Sequence, residues 1–436
     1  MLKGMTQENE INRLVIVSIL LYRYRYCKGK QPHNEGYEGS ISDVSNIDSQ
    51  YRNLTKTLED NRAEKNLVSK KVAIQKRVGQ NADDKIAEMK KLGDIIKSLE
   101  LELVDLKSQL SLKLEEIPNI PHSSVPQGKN EKENVVIREW GNKAVFNFKE
   151  KTHQELGKNL KLFDFERGSK ISGSGFPLYT GKGAQLERRL INSMIDHHVN
   201  NYDFKEMFPP VLILEESMRT TGQLPKFKED MYLSDLDQLY LAPTAEVPIT
   251  NIHRDEIILE NNLPINYVAY SPCFRRESGS YGKDSRGLLR LHQFNKVEMV
   301  KFVKPEESYE DLEQLVLQAE SILQKLGITY RVVELCTGDL GFSAAKCYDI
   351  EIWSPGEEQW LEVSSCSNFE DFQSRRGKIR YRSNSDKKVR LLHTLNGSGL
   401  ATPRLMVALL ETYQIEDGGI IFSDSASDFI GMKEIR

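Results

Sequence analysis

The sequence predicts an α+β protein: an antiparallel β-sheet domain with flanking helices, preceded by an antiparallel two-helix coiled-coil arm. Three observations carry this. Met89, Leu92, Ile96, Leu99, Leu103, Leu106 and Leu110 alternate steps of three and four, the unbroken a/d seam of a coiled coil. A second run with the same stepping precedes it across a turn-rich tip, so two long helices must fold back on each other. Beyond a proline-rich break, strand-like runs follow one another with few helices between them, which favours an antiparallel sheet over βαβ units.

The elements can be justified in chain order. Leu14–Tyr22 is an apolar run of nine residues interrupted by Ser18 and followed by Arg23, Arg25, Lys28 and Lys30. A membrane span needs about 20 apolar residues. Glu8 and Glu10 ahead of the run and bulky tyrosines and arginines after it do not suit a signal peptide. The expectation is a buried element of a cytoplasmic protein with no membrane partner. The first arm follows Ile47, Tyr51, Leu54, Leu58, Val68 and Val72, with Asn61 and Lys65 breaking the seam. Gly79, Gln80, Asn81, Ala82 and Asp83 form the tip, where Asp83 could cap the second helix. Each arm should reach about 50 Å at 1.5 Å per residue. Pro118, Pro121 and Pro126 then forbid helix, placing a boundary at residues 118–135 between an N-terminal domain, 1–118, and a second domain, 119–436. In the second domain Val247–Glu260 reads as helix and Thr402–Gln414 as helix. The segments 294–303, 327–335, 347–354 and 359–368 read as strands.

Composition sets limits. Sixty basic and 64 acidic residues give a net charge of −4, with no global signal for nucleic acid. The first arm is different. Arg52, Lys56, Arg62, Lys65, Lys70, Lys71, Lys76 and Arg77 face only Glu59, Asp60 and Glu64, a local net charge of +5. A charge run is most often a solvated helix face. It is also what a rod tracking a phosphate backbone needs. Five cysteines without a CxxC pair argue against a disulfide scaffold or zinc ribbon, and Cys273, Cys336, Cys347 and Cys366 read as buried thiols. Gly173/Gly175, Gly181/Gly183 and Gly397/Gly399 fit neither a dinucleotide fingerprint nor a P-loop. His197 and His198 are adjacent on a predicted helix and diverge by about 100°, so they make a poor metal pair.

The segment from Phe274 to Glu298, FRRESGSYGKDSRGLLRLHQFNKVE, opens and closes with strand-like residues around a Gly/Ser-rich loop. On such a hairpin Arg275, Glu277, Arg290, Phe294 and Glu298 can project toward one face. Arginine holds phosphate bidentately, an aromatic stacks on a base, and a carboxylate accepts an exocyclic amine. His292 in this stretch suits support of the loop better than proton transfer.

These residues resemble motif 2 of class II aminoacyl-tRNA synthetases in its seryl form. TLNGSGLATPRLMVALLE resembles motif 3, and GAQLERRLINSMIDHHVNNYDFKEMFPPVLI resembles motif 1, with Pro209 or Pro210 as its key proline. TGQLPKF, APTAEVPITN and EVSSCSNFEDFQSRR stand between them in the seryl-tRNA synthetase order, over roughly residues 45–415. The resemblance implies a class II catalytic domain preceded by a tRNA-binding arm. It implies that the protein activates L-serine with ATP to seryl-adenylate and transfers serine to the 3′ end of tRNA(Ser), and of tRNA(Sec). A homodimer in which one subunit's arm serves the other's active site is also implied.

The same resemblance implies site roles. Arg275 binds the α-phosphate, Glu277 the adenine amine, and Arg290 the phosphates, with Arg276 alongside. Phe294 stacks on adenine, with Arg404 on its opposite face or near the γ-phosphate. Thr244, Ala245 and Glu246 form a serine-site loop, Glu298 holds serine's amino and hydroxyl groups, and Asn396 and Ser398 complete the pocket. Glu362 and Ser365, in a segment with Val363 and Ser364 that lines the ATP site, hold Mg²⁺; no zinc is expected. The eight basic residues of the first arm are the tRNA contacts. The chain departs from the family pattern at Thr402-Pro403, over the first 40 or so residues, and in the tail from Gly418. Two rival readings are a catalytically silent paralogue that binds RNA or protein and an amino-acid ligase for a carrier protein. The complete ATP set argues against the first, and the long hairpin against the second.

Overall fold

An apolar seam running from Val44 to Val72, with no proline in it, lies in one uninterrupted first helix, α1 (Glu35–Arg77). The computed structural model describes residues 35–278 and 287–436; the run Leu14–Tyr22 and Arg286 of the motif 2 stretch lie outside the described residues. The chain divides into two compact units between Pro118 and Asn119.

The first unit is the hairpin of α1 and α2 (Asp83–Glu115). The 43 residues of α1 span about 65 Å. The seam residues are buried or half-buried along their whole length, with Val68, Val72, Ala82 and Leu92 forming one cluster and Val44, Leu110 and Ile117 another. The polar break is accommodated rather than avoided. Lys65 lies half-buried over Gly93, where a Cβ would sit 3.2 Å from Nζ. The tip corrects one expectation: Ala82, not Asp83, is the N-cap, without a side-chain cap bond. Asn81 Oδ1 instead accepts the Asp83 N–H at 2.8 Å. Asp83 and Asp84 serve the first turn as charges favourable to the helix N-terminus.

The second unit is built on an eight-stranded sheet of β1 (Val135–Trp140), β2 (Lys205–Met207), β3 (Ile265–Phe274), β4 (Gln293–Val303), β5 (Tyr330–Glu334), β6 (Lys346–Ser354), β7 (Gln359–Asn368) and β8 (His393–Ala401). The order is β1-β5-β6-β7-β8-β4-β3-β2, antiparallel throughout except for β2 beside β3. One face carries α3 (Gly181–Tyr202), α4 (Ser308–Leu326) and α5 (Thr402–Thr412). Leu186, Met194, Leu315, Leu323, Leu405 and Leu409 from these helices close over Val297, Met299, Val363 and Leu395 of the sheet. Because side chains alternate along a strand, the other face of β4 and β8 is left for polar residues and a smaller cluster around Val300 and Phe302.

Val247–Glu260 is not one helix. A short helix, Glu246–Thr250, passes through Asn251–His253 into the strand Ile257–Leu259. Asp255 at φ +62° ends the helical path, and Ile257–Leu259 pairs in parallel with Arg380–Arg382. That pairing is remote in sequence and overrides local periodicity. His198 is fully buried on α3 beside Tyr202 and Phe204, while His197 donates to or accepts from Ser321 Oγ at 2.8 Å. Burial, and secondly the neighbouring His197, pulls His198 down to about 3, so it is a neutral core residue.

Candidate active site

The polar face of β4 and β8 holds a buried hydrogen-bonded cluster. Glu298 is fully buried. Its Oε2 accepts from Thr244 Oγ1 at 3.1 Å and is ion-paired with Lys296 Nζ. Its Oε1 accepts from Asn396 Nδ2 at 3.0 Å, and the same amide donates to Glu246 Oε2 at 3.0 Å. Gln373 Nε2 donates to Glu246 Oε1 at 2.6 Å, and Thr394 Oγ1 orients Gln373 by donating to its Oε1 at 2.8 Å. Desolvation, and secondly the charge on Glu298, raises Glu246 to about 7. Ala245 and Ser398 are buried at the margin, and Ser398 is the register partner of Glu298 across β4 and β8. All six serine-site residues named from the sequence are therefore in this region. Lys296 and Gln373 were given no role by sequence reasoning. The period-two spacing Phe294, Lys296, Glu298 was the available signal for Lys296.

Toward the end of β3 the character changes to cationic and aromatic. Arg275 lies 5.4 Å from the Phe294 ring centroid and donates from Nε to the Pro243 carbonyl at 3.3 Å. His292 stacks on Phe176, its Nδ1 lies 3.1 Å from the Arg275 carbonyl, and the Arg275 N–H donates to the His292 carbonyl at 2.9 Å. This is the supporting role expected for His292. Glu277, at φ +52°, accepts from Arg290 Nη1 at 2.7 Å. Arg276 turns away from Arg275, donating to the Met231 carbonyl at 3.1 Å and lying over Tyr232. Arg404 enters from the first turn of α5, where Pro403 is well tolerated. It donates to the Leu289 carbonyl at 3.2 Å and to the Glu362 carbonyl at 2.7 Å.

Strand β7 solves a geometric problem. Glu362 and Ser365 are three apart and would face opposite sides of a regular strand. The register shifts between Ile350 and Glu351 of β6, which pair with Ser364 and Glu362, so Val363 is an extra residue. Val363 stays in the core, Ser364 Oγ donates to the Ser398 carbonyl at 2.6 Å, and Glu362 and Ser365 share a face. Asp349, the register partner of Ser365, is the acid that sequence reasoning missed. Burial, then the charge on Glu362, holds its carboxyl well above the usual carboxylate range. A set of hard oxygen donors carrying excess negative charge fits a divalent cation such as Mg²⁺.

A separate group of metal-ligand types joins the buried His153 and Glu411 with the half-buried Glu357. The Leu288 N–H donates to His153 Nε2 at 3.3 Å, which places the ring proton on Nδ1. Nδ1 then donates to Glu411 Oε1 at 3.0 Å. The group is a hydrogen-bonded relay from α5 to the backbone just before Arg290. Gly287, at φ +62°, leaves the space it needs, since a Cβ there would meet His153 Nε2 at 2.2 Å. The four cysteines Cys273, Cys336, Cys347 and Cys366 are free and buried, with Cys366 pushed up to about 12 by burial.

On the arm, Lys56, Lys70, Lys71, Lys76 and Arg77 are exposed. Arg52 is paired with Asp48 at 2.8 Å, Arg62 with Glu100 of the other helix at 2.6 Å, and Lys65 is half-buried. The eight basic residues thus separate into a solvent-facing set and a set already engaged. No helix among the described residues is long and apolar enough to cross a membrane.

Known proteins place these features in context. A model of the class II tRNA synthetase core domain (G, H, P, S and T) matches residues 227–413, and one of the seryl-tRNA synthetase N-terminal domain matches residues 25–121. A serine–tRNA ligase from Methylacidiphilum infernorum is 51% identical over 412 residues, 94% of this chain and 97% of the relative. One from Geobacillus kaustophilus is 49% identical over 96% of this chain and 99% of the relative. A crystal structure of seryl-tRNA synthetase from Pyrococcus horikoshii complexed with ATP superposes with a TM-score of 0.86 at 37% identity, covering 91% of this chain and 93% of that one. With its catalytic motifs and its arm both matched, the chain belongs to the seryl-tRNA synthetase family of class II aminoacyl-tRNA synthetases.

Proposed function

We propose that the chain activates L-serine with ATP and transfers the seryl group to the 3′ end of tRNA(Ser), and also of tRNA(Sec). The observation that carries this reading is the buried Thr244–Glu298–Asn396–Glu246 cluster adjoining the Arg275–Phe294 pair. Serine's ammonium and hydroxyl fit the carboxylate cluster. The polar partners of that hydroxyl would be left unpaired by alanine, and rejection of the larger threonine must be steric. Phe294 offers adenine a stacking face and Glu277 an acceptor for its amine. Arg275 and Arg290 place positive charge at the phosphates, as Arg404 does at the adenine's opposite face or the γ-phosphate.

The serine carboxylate is the nucleophile: its oxygen attacks the α-phosphorus and pyrophosphate leaves, so positioning and charge neutralisation do the chemistry. Glu362 and Ser365, with Asp349 behind them, would hold Mg²⁺, which supplies Lewis-acid charge to the phosphates when bound. Residues 1–118 are the tRNA-binding domain and 119–436 the catalytic domain. The reading includes a homodimer in which one subunit's arm serves the other's site, with the open cavity of about 420 Å³ beside α3, lined by Tyr179, Arg188, Ile191, Asn192, Phe208 and Tyr270, as a candidate place for the subunit contact. Phe208 is 83% exposed there. A cytoplasmic location goes with this activity.

Serine-dependent exchange of pyrophosphate into ATP, without tRNA, is the test. Exchange with serine and little with alanine or threonine is expected. No exchange by folded protein would leave the silent-paralogue reading, and seryl transfer to a carrier protein in place of tRNA would leave the other. The relay gives a finer prediction. His153→Asn keeps the bond to Glu411 but cannot reach the Leu288 N–H, so the ATP KM should rise about tenfold while the serine KM holds. His153→Gln, whose amide oxygen can reach Leu288, should recover most of the loss. That gap corresponds to about 1.4 kcal/mol, a typical hydrogen-bond contribution.

A further inference from the structure

Lys296 has no part in the mechanism above, yet it lies at the centre of the site. Its side chain is 8% exposed, and its Nζ is ion-paired with Glu298, whose side chain is 0% exposed. Removing an ammonium from water is costly unless something compensates, so a lysine here needs a reason. Lys301, on the same strand, has an ordinary one: its Nζ reaches Asp311 Oδ1 at 2.5 Å, on the first turn of α4. Lys296 instead points into the substrate face.

Its position along β4 is informative. Phe294, Lys296 and Glu298 follow one another at period two, at about 7 Å per step. The strand therefore displays, in order, the ring for adenine, an ammonium, and the carboxylate for serine's amino group. The bond made during activation joins the two ends of that row. It forms between the serine carboxylate and the α-phosphorus, level with Lys296.

The charges agree with this placement. Glu246 and Glu298 are two buried carboxylates bridged by one amide, Asn396, with Lys296 as the directly paired cation. Serine brings an ammonium that can neutralise Glu298 in its turn. It also brings a carboxylate which, beside the α-phosphate, needs a cation. A lysine stem has the freedom to carry its charge a few ångströms from one to the other.

We propose that Lys296 is a catalytic residue of serine activation: its Nζ leaves Glu298 to serine's ammonium and turns to the serine carboxylate and an α-phosphate oxygen. Lys296 keeps its proton throughout. The carboxylate oxygen bonds to phosphorus, the phosphorus–oxygen bond to pyrophosphate breaks, and Lys296 stabilises the charge that accumulates between them. The proposal rests on the serine-activating reading.

The test compares Lys296→Met and Lys296→Gln with the wild type in pyrophosphate exchange, with serine binding measured by calorimetry without ATP. Glutamine can hydrogen-bond Glu298 but carries no charge. Both variants should lose about 10²–10³-fold in kcat, the range for removing one preorganised transition-state contact. Serine should bind as tightly as before or more tightly, because Glu298 no longer has a resident partner. Near-normal kcat in Lys296→Gln would overturn the proposal, leaving Lys296 a filler of the Glu298 hydrogen bond. Loss of serine binding with kcat intact would overturn it as well, making Lys296 a prop of the pocket. Should Lys296→Met fail to fold, Lys296→Gln carries the same comparison. Absence of exchange in the wild type would sink the activity reading itself, whereas wild-type exchange with an unaffected Lys296→Gln sinks only this one.

Discussion

Arg275→Ala should lower serine-dependent pyrophosphate exchange by about 10²–10³-fold, with the loss in kcat. The guanidinium sits at the rim between Phe294 and the Pro243 carbonyl, so it is held in place by the protein on one side and open to ligand on the other. An arginine fixed at the α-phosphate acts where charge develops as pyrophosphate leaves, and such donors contribute about 3–4 kcal/mol each. Arg275→Lys should recover part of the activity, because the charge remains but the planar fork does not. Little change in thermal stability is expected, since Arg275 is only half-buried. Exchange within tenfold of wild type in Arg275→Ala would remove Arg275 from the reacting centre. Arg276→Ala is the natural control: its bond to Met231 and contact with Tyr232 point it at the neighbouring segment.

Charge reversal on the arm should separate the two half-reactions. Replacing Lys70, Lys71, Lys76 and Arg77 with glutamate should raise the KM for tRNA about 10²-fold or more and leave tRNA-independent exchange unchanged. These four are exposed, and the seam residues Val68, Val72 and Leu92 beneath them are untouched, so the hairpin should still form. Each lost phosphate contact should also flatten the dependence of log KM on log salt by about one unit. Charging that survives with normal salt dependence would reject the arm as the tRNA surface. Arg62→Ala should have a smaller effect than its charge suggests, because Glu100 already holds it.

What could be read from the sequence follows from the range of the interactions involved. The arm was legible because a coiled coil is a local pattern: every seam residue announces its partner's face at a fixed step. The motif residues were legible because chemistry constrains residue type at short spacing, as in Arg275 and Glu277. The i, i+2 spacing of Lys296 and Glu298 on one strand was legible and went unread, whereas Gln373 was not assigned a role because its partner Glu246 lies more than 100 residues away in the chain. Asp349 was missed for the same reason, since it meets Ser365 only through the pairing of β6 with β7. The extra residue at Val363 is equally silent in the sequence, although without it Glu362 and Ser365 would be on opposite faces. Ile257–Leu259 read as helix because its apolar spacing is ambiguous and its strand partner is distant.

The meeting of Lys65 with Gly93 makes the arm a gauge of one setting. A seam made only of leucines can slip by a heptad at modest cost, shortening or lengthening the paired stretch. Here a slip of seven residues one way would drive the Lys65 ammonium off Gly93 and against Ile86, and a slip either way would part Arg62 from Glu100. The notch fixes which residues stand opposite each other and hence how far the tip stands from the base. A Gly93→Leu exchange should therefore act less as a loss of stability than as a loss of calibration.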